Sequence, residues 1–332
     1  MSDKTNDEKL RILQERLSQI KRKEDTPVPS ENQRENVIEV STPEIDSPKK
    51  EKNSISFGWL KYAVIIGISG GIDSAIVATI AVSALGRDAV TGILMPSRYS
   101  SLGSVEDAEQ LAKRLGIKTT TLPIEHMHAA FERTLGDSCL EATGLVSENA
   151  QARIRGLLLM ALANEQGSLV LATGNKSELA VGYSTLYGDM NGAVSVIGDV
   201  YKTDVWSLAR WVNDNFEACG FENPPIPESS ISKPPSAELR PDQLDQDSLP
   251  EYEVIDMVLR LHVEFDLGVD EIEEHLTLPR EHILSIVRMV DHSQFKRDQA
   301  AVILKTSPRT FGRGRRMPIV MKRLWTSTRE TT

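Results

Sequence analysis

Long hydrophobic runs are absent from this sequence. No apolar stretch reaches the roughly 18 residues that a membrane-spanning helix needs. The N-terminus also lacks the apolar core of a secretory signal peptide. These absences disfavour a membrane protein and predict a cytoplasmic location with no membrane partner.

Cysteine and positive charge are also scarce. The 332 residues contain only Cys139 and Cys219, whose separation matches no metal-binding motif. A reducing compartment is a simpler interpretation than a disulfide between them. Lysine and arginine total 38 against 48 aspartates and glutamates, which gives a formal net charge of −10. Such an acidic chain disfavours a nucleic-acid partner, because these partners select basic surfaces.

Apolar side chains are sparse in residues 1–57, which are crowded with Lys, Glu, Asp, Asn, Ser and Pro. This composition cannot offset the entropy of ordering the chain, so we expect a disordered polar tail. One segment of it, residues 7–23, has its leucines and isoleucine spaced along one face of a short helix. So short a helix is marginal in water, and two interpretations stay open: a frayed helix without a role, or one that docks on a partner or second copy.

From residue 62 onward, short apolar runs alternate with helix-like segments. Repeated strand–helix units predict an α/β fold, a doubly wound parallel sheet with helices on both faces, in one domain over residues 58–332. One helix is expected to begin with Ser104 as its N-cap and to end at Gly116. The predicted strands are 62–68, 89–95, 118–124 and 168–174, and the irregular stretch 223–250 is expected to be a functional loop.

A glycine–serine turn, "GISGGIDS" at residues 67–74, joins the first predicted strand to the first helix. Gly70 and Gly71 let backbone N–H groups approach an anion, and the following helix dipole favours phosphate. The lysine of the commonest phosphate loop is missing, and Asp73 stands in the turn instead. This carboxylate would repel phosphate unless a hard divalent cation such as Mg²⁺ lies between them. Helix capping is the alternative role for Asp73, with equal weight on position alone.

The hexapeptide "SGGIDS" resembles the signature of the PP-loop ATP pyrophosphatases. That resemblance implies cleavage of ATP between its α and β phosphates, with a carboxyl or carbonyl oxygen activated as an adenylate. The motif is shared by enzymes with different substrates, so alone it indicates a chemistry and no substrate.

Longer stretches indicate which substrate is activated. They occur in order along residues 60–322 and resemble NAD synthetase, most closely the synthetase domain of the glutamine-dependent form. That likeness implies that ATP adenylates the nicotinate carboxylate of deamido-NAD, and that ammonia then displaces AMP to give NAD. The stretches are "MPSRYSS" (95–101), "ENAQARIRG" (148–156), "LATGNKSELAVGYSTLYGDM" (171–190), "KPPSAELRPDQLDQDSLPEYEVID" (233–256), "FKRDQAA" (295–301) and "RTFGRGRRMPI" (309–319).

The resemblance also implies roles for single residues. Asp73 and Glu178 would hold Mg²⁺, and Lys202 would neutralise phosphate charge that develops in the transition state. For Glu178, a plain first-turn glutamate is the alternative. The positions implied to contact ATP are Gly67, Ile68, Ser69, Gly70, Gly71, Ile72, Asp73, Ser74, Thr173, Lys202 and Ser236.

For deamido-NAD, the matching positions are Asn149, Arg153, Glu178 and Lys296. Asn149 and Arg153 lie four residues apart, on one face of a helix, and Arg155 is expected to point elsewhere. Asp189 is the candidate to bind ammonium or to take its proton, since an amine must lose a proton to attack. A loop aspartate that only stabilises a turn is the alternative for Asp189.

The chain departs from the family pattern near both of its ends. The family's glutaminase domain does not precede the synthetase motifs here, so we expect the chain to use free ammonia or ammonia from a separate glutaminase. A homodimer is expected, although little sequence leads into the first strand. Gly314 stands where an acidic residue is usual. These departures keep an alternative open, a catalytically impaired nucleotide-binding copy or a partner subunit of a full-length enzyme. A tRNA-modifying enzyme is disfavoured, because neither paired catalytic cysteines nor a basic module is present.

Overall fold

The computed structural model describes residues 63–312, 314, 315 and 317. The chain divides into two units, Met1–Gly58 and Trp59–Thr332, and the fold below belongs to the second. The predicted polar tail and its helix over residues 7–23 lie outside the described residues, as does the end of the C-terminal motif. Within the described part, no helix is long and apolar enough to cross a membrane.

Six parallel strands form one sheet in the described part of the chain, in the spatial order β3-β2-β1-β4-β5-β6. The order reverses between β1 and β4, because the chain moves outward in one direction from β1 and in the other from β4. Such a reversal opens a crevice at the carboxyl ends of the two strands, where α/β proteins bind ligands. The strands are β1 (Val64–Gly67), β2 (Val90–Leu94), β3 (Lys118–Thr121), β4 (Leu169–Ala172), β5 (Val194–Ser195) and β6 (Val302–Ile303).

Helices cover both faces of this sheet, so the predicted doubly wound α/β fold is confirmed. The helices are α1 (Ile72–Leu85), α2 (Leu102–Leu115), α3 (Glu125–Asp137), α4 (Leu145–Gln166), α5 (Lys176–Val181), α6 (Lys202–Asp214), α7 (Glu228–Ser232), α8 (Tyr252–Leu259), α9 (Val269–His275), α10 (Arg280–His292) and α11 (Gln294–Arg297). Single helical turns occur at Arg87–Ala89 and Asp245–Asp247, and α8 continues into a π-helical turn at Arg260–Glu264.

The strand β1 shows why both layers form. Ile66 packs with Ile76 of α1 and Val205 of α6 on one face of the sheet. Ile65 points to the opposite face, where it packs with Ile93 of β2 and with α4. Each fully buried isoleucine contributes about 1.5–3 kcal/mol relative to an exposed one, so the alternating side chains of β1 tie both helix layers to the sheet.

The structure corrects some local expectations. Ser104 is not the N-cap of α2: the helix begins at Leu102, and the side chain of Ser101 accepts the Ser104 backbone N–H at 3.1 Å. Ser101 takes this role because its backbone is extended, whereas Ser104 already lies in the helix. The helix α3 was not predicted, since among its side chains only His128 is buried.

Candidate active site

A cavity of about 340 Å³ opens at the carboxyl ends of β1, β2 and β4, where the strand order reverses. This volume lies in the usual range of small-molecule sites. The loop 67–74 forms one wall, the segment 172–174 with Glu178 forms another, and residues 233–239 cover part of the opening. The predicted phosphate turn and the predicted site residues Thr173 and Glu178 therefore face one cavity.

The turn between β1 and α1 is shaped by glycine. Gly70 has φ +84°, and a Cβ there would lie 2.1 Å from the backbone oxygen of Ser104 in α2. Glycine is therefore required for the loop to lie against α2. Gly71 is the N-cap of α1, and no side chain of the described residues caps this helix end. Its first N–H groups are available to an anion.

The side-chain amide of Asn175 connects the segment that carries Glu178 to the loop 67–74. Asn175 caps α5 in a capping box with Glu178, which fixes both side chains. The Asn175 Nδ2 also donates to Asp73 Oδ1 at 2.9 Å. Because one residue serves the cap and the carboxylate together, formation of α5 positions Asp73 and Glu178 relative to each other.

Lys202 lies between these two carboxylates. Its Nζ is paired with Asp73 Oδ2 and lies 3.6 Å from Glu178 Oε1. Burial alone would lower the pKa of Lys202, but the charges of Asp73 and Glu178 raise it above its usual value. Burial first, and then the charge of Asp73, raises the pKa of Glu178 to about 8. The ammonium is thus the counter-charge of Asp73, and of Glu178 whenever that carboxyl is ionised.

These two carboxylates fit a magnesium ion that arrives with phosphate. They are hard oxygen donors, and both contact a single cation position. Within residues 63–312 and the few described after them, no three His, Cys, Asp or Glu side chains form a metal-holding group. Magnesium is commonly held by one or two carboxylates, with phosphates completing its shell, so Asp73 and Glu178 match that donor set.

Of the residues predicted to bind deamido-NAD, three contact the segment 182–186 instead of the cavity. The Lys296 Nζ donates to the backbone oxygens of Gly182 and Ser184, both at 2.7 Å. Arg153 and Asn149 of α4 bond respectively to the backbone of Leu186, at 3.2 Å, and the hydroxyl of Thr185, at 2.8 Å. All three hold the loop that leads to Asp189.

Arg155 lies where Arg153 was expected. It lines the cavity, and its Nε donates to the backbone oxygen of Met95 at 3.0 Å. Arg155 is directed to a different side of α4 from Arg153, and this side, which also carries Ala152 and Leu159, faces the cavity. Burial lowers the pKa of Arg155 to about 10.

Asp189 faces the cavity, where a group that binds or deprotonates an amine is expected to lie. Its Oδ1 accepts the backbone N–H of Thr185 at 2.7 Å. The carboxylate is exposed to the cavity, but the surrounding protein limits its hydration and raises its pKa to about 6. At neutral pH it is mainly ionised and can accept a proton.

Ser236 also lines the cavity, within the segment that covers it. Its hydroxyl donates to the backbone oxygen of Gln243 and accepts the backbone N–H of Glu238. The Glu238 carboxylate in turn accepts bonds from Ser101 and Ser104 at the start of α2. This chain of bonds joins the covering segment to the wall of the cavity.

Many of the predicted site residues line the cavity. The predicted residues on the cavity wall are Gly67, Ile68, Ser69, Gly71, Ile72, Asp73, Ser74, Thr173, Glu178, Asp189, Lys202 and Ser236. Sequence reasoning missed Tyr183, Lys233 and Asp245, which also line it. The only sequence signal for Asp245 is its place in "DQDSLP", which carries no helical or strand period.

Comparison with known proteins gives a consistent group of relatives. The family model described as NAD synthase matches residues 59–300. A glutamine-dependent NAD(+) synthetase from Synechocystis sp. is 53% identical over 256 residues, which cover 77% of this chain and 44% of that protein. The glutamine-dependent NAD(+) synthetase from Thermotoga maritima is 51% identical over 257 residues, which cover 77% of this chain and 44% of that protein. The chain thus spans less than half the length of these curated relatives.

Two solved structures resemble the chain over most of their own length. The NH3-dependent NAD synthetase from Campylobacter jejuni, in complex with nitrate, is 32% identical with a TM-score of 0.54, covering 70% of this chain and 86% of that one. The NMN synthetase from Francisella tularensis is 26% identical with a TM-score of 0.55, covering 74% and 91%.

Proposed function

The chain belongs to the NAD synthase family, and on that premise we propose that it catalyses the ATP-dependent amidation of deamido-NAD to NAD. The observation that carries the proposal is Lys202 held between Asp73 and Glu178, beneath the uncapped start of α1. That arrangement provides a place for a polyphosphate and its cation at the crevice of the sheet.

The reaction has two steps. A carboxylate oxygen of deamido-NAD attacks the α-phosphorus of ATP, and the bond to the β-phosphate oxygen breaks, which releases pyrophosphate. The lone pair of ammonia then attacks the acyl carbon, the bond to the AMP oxygen breaks, and the nitrogen loses a proton. The products are NAD, AMP and pyrophosphate.

For ATP, we assign the loop 67–74 to the phosphates, with Thr173 and Ser236 as further contacts on the cavity wall. Bound Mg²⁺ would supply charge neutralisation for the leaving pyrophosphate, and Asp73 and Glu178 would hold it. Lys202 stabilises the negative charge that develops on the phosphates, because its buried ammonium already faces the same cavity.

For deamido-NAD, we assign Asn149, Arg153, Glu178 and Lys296 as the recognition residues. Support comes from their convergence: three of them hold the loop before Asp189, and Glu178 faces the cavity itself. We assign Asp189 to the amine, because its carboxylate is open to the cavity and accepts protons near pH 6.

We propose ammonia as the nitrogen donor of this chain, supplied free or by a separate glutaminase. The likeness to the NH3-dependent enzyme from Campylobacter jejuni supports this choice, since this chain covers 86% of that protein. A cytoplasmic location is part of the same proposal, and the free thiols of Cys139 and Cys219 are consistent with it.

We also propose a homodimer, with α4 at the interface. Leu145, Val146, Leu157 and Met160 are 73%, 48%, 59% and 41% exposed along this helix, an unusual density of large apolar side chains on a surface. Arg153 lies on the same exposed face, so a second copy would also cover part of the substrate region.

The test uses the purified full chain with Mg²⁺, ATP and ammonium. Pyrophosphate release and NAD formation should both require deamido-NAD, and nicotinate mononucleotide is the control substrate because one structural relative is an NMN synthetase. Preferential turnover of the mononucleotide would overturn the substrate assignment. Glutamine as the sole nitrogen donor is the second arm: NAD formation from glutamine alone would overturn the choice of ammonia and leave the amidation intact.

A further inference from the structure

Asp245 is a buried carboxylate on the cavity wall to which the proposed function gives no role. It is 4% exposed and begins the turn Asp245–Asp247 in the segment that follows the cavity cover. The Tyr252 hydroxyl donates to its Oδ2 at 2.9 Å. Its Oδ1 is buried and has no hydrogen-bond partner within the described part of the chain. An unpartnered buried oxygen is costly, so a partner for it is expected in the working state.

Lys202 is a cation whose charge acts on this carboxylate. Tyr252, which holds Asp245, also lies under Lys202, with the Nζ 5.4 Å from the ring centroid. Burial raises the pKa of Asp245, while its hydrogen bond from Tyr252, the charge of Lys202 and the hydroxyl of Tyr183 oppose that shift. The two side chains thus share one aromatic neighbour and interact electrostatically.

The charge of the group depends on how many of its carboxyls are ionised, because burial raises the pKa values of both Glu178 and Asp245. When Asp73, Glu178 and Asp245 are all ionised, Lys202 supplies one positive charge against their three negative charges. A divalent ion at Asp73 and Glu178 would bring the group to neutrality. That ion would also compete with Lys202, whose ammonium now occupies the position between the same two carboxylates.

We propose that Asp245 positions Lys202 during the reaction. When a divalent ion takes Asp73 and Glu178, the free Oδ1 of Asp245 accepts the ammonium of Lys202 and keeps it in the cavity, directed at the phosphates. Asp245 is not assigned as a metal ligand, since the described residues contain no group of three ligating side chains. The role of Lys202 at the phosphates rests on the proposed function. The displacement of Lys202 by a divalent ion does not depend on it.

The exchange is tested by Mn²⁺ binding, measured by electron paramagnetic resonance on ligand-free protein. Four proteins are compared: wild type, Lys202→Gln, Asp245→Asn and the double variant. Lys202→Gln should tighten Mn²⁺ binding at least tenfold, because the competing ammonium is gone. Asp245→Asn should weaken it about tenfold in the wild-type background and less than threefold beside Lys202→Gln. An equal effect in both backgrounds, or no Mn²⁺ binding by any of the four proteins, overturns the proposal.

A kinetic readout separates positioning from a merely structural role. Asp245→Asn should lower kcat at least tenfold while KM for deamido-NAD changes less than twofold, and Asp245→Glu should restore part of the rate. Asp247→Asn is the matched control, since Asp247 lies in the same turn but is paired with Arg240 at the surface. Loss of folding stability in Asp245→Asn with unchanged Mn²⁺ affinity would contradict the proposal, and inactive wild-type protein would contradict the proposed function instead.

Discussion

Asp73 is the residue on which the proposed chemistry depends most. It receives a hydrogen bond from Asn175 and an ion pair from Lys202, so three sequence-distant side chains meet at one carboxylate. A carboxylate in a phosphate loop makes sense only with cations beside it, and the structure supplies Lys202 as one of them. The contacts of Asp73 therefore explain why this loop carries an aspartate.

The first prediction concerns the charge of Asp73. Asp73→Asn keeps the acceptor for Asn175 but removes the charge, so kcat for NAD formation should fall by at least about 100-fold. Steady-state assays at saturating Mg²⁺ check this, with Asp88→Asn as control because Asp88 is an exposed residue just after α1. A kcat near the wild-type value would remove Asp73 from the metal site.

A second prediction follows from the raised pKa of Asp189. The ordinary value is 3.8 and the folded value is about 6, so between these pH values the folded state holds a proton that the unfolded state releases. Wild type should therefore lose stability relative to Asp189→Asn as the pH rises from about 4.5 to 6.5, with no further change above. Thermal unfolding of both proteins across this range measures the difference in Tm. A difference that is constant with pH would mean that Asp189 titrates normally.

Single residues also show where sequence reasoning succeeds and where it stops. The loop residues near Gly70 and Gly71 follow from a local pattern, because a glycine turn between strand and helix has few other uses. Lys202 lies 129 residues from Asp73, and only family resemblance connects them. Asp245 lies in an irregular segment without any period, so its burial depends on tertiary packing that no local pattern encodes.

At the scale of elements, α5 is the part that assembles the site. This short helix begins with the Asn175 cap that contacts Asp73, and its Lys176 is fully buried. The Lys176 Nζ contacts Asp199 and Glu264, both at 2.9 Å, and the Ser307 hydroxyl at 2.7 Å. The helix is therefore fixed by an ion network on the side away from the cavity.

The third prediction concerns that network. Lys176→Met leaves Asp199 and Glu264 without their buried cation, which should cost about 3–5 kcal/mol of unfolding free energy. Urea denaturation measures the loss. Arg280→Met is the control, because its pairs with Asp270 and Glu273 lie at the surface and should matter little. A loss no larger than in the control would show that the network does not fix α5.

The elements themselves differ in how far the sequence predicts them. The strands β1, β2 and β4 follow from short apolar runs, and the order of strand and helix then predicts the parallel sheet. The helix α3 escapes prediction because His128 is its only buried residue, and α4 begins at Leu145, earlier than its visible motif. Apolar periodicity reports buried faces only, so exposed helices carry little of that signal.

At the scale of the whole molecule, the exposed face of α4 leads to the fourth prediction. Leu157→Glu should convert the proposed dimer to monomer, because it places a charge within an apolar interface. Sedimentation equilibrium measures the mass. Trp211→Glu is the control, since Trp211 is an exposed aromatic side chain of α6, which packs on the opposite face of the sheet. If wild type is a monomer, or if only the control dissociates, α4 is not the interface.

The central claim, amidation of deamido-NAD through an adenylate, is tested most directly by following the carboxylate oxygens. Deamido-NAD carrying ¹⁸O in both oxygens of its nicotinate carboxylate is incubated with the full chain, ATP, Mg²⁺ and ammonium, and the products are examined by mass spectrometry. The account predicts one ¹⁸O atom in NAD and one in AMP, since attack on the α-phosphorus transfers a carboxylate oxygen to the nucleotide. Unlabelled AMP formed together with NAD would contradict the adenylate, and the absence of NAD would contradict the proposed function.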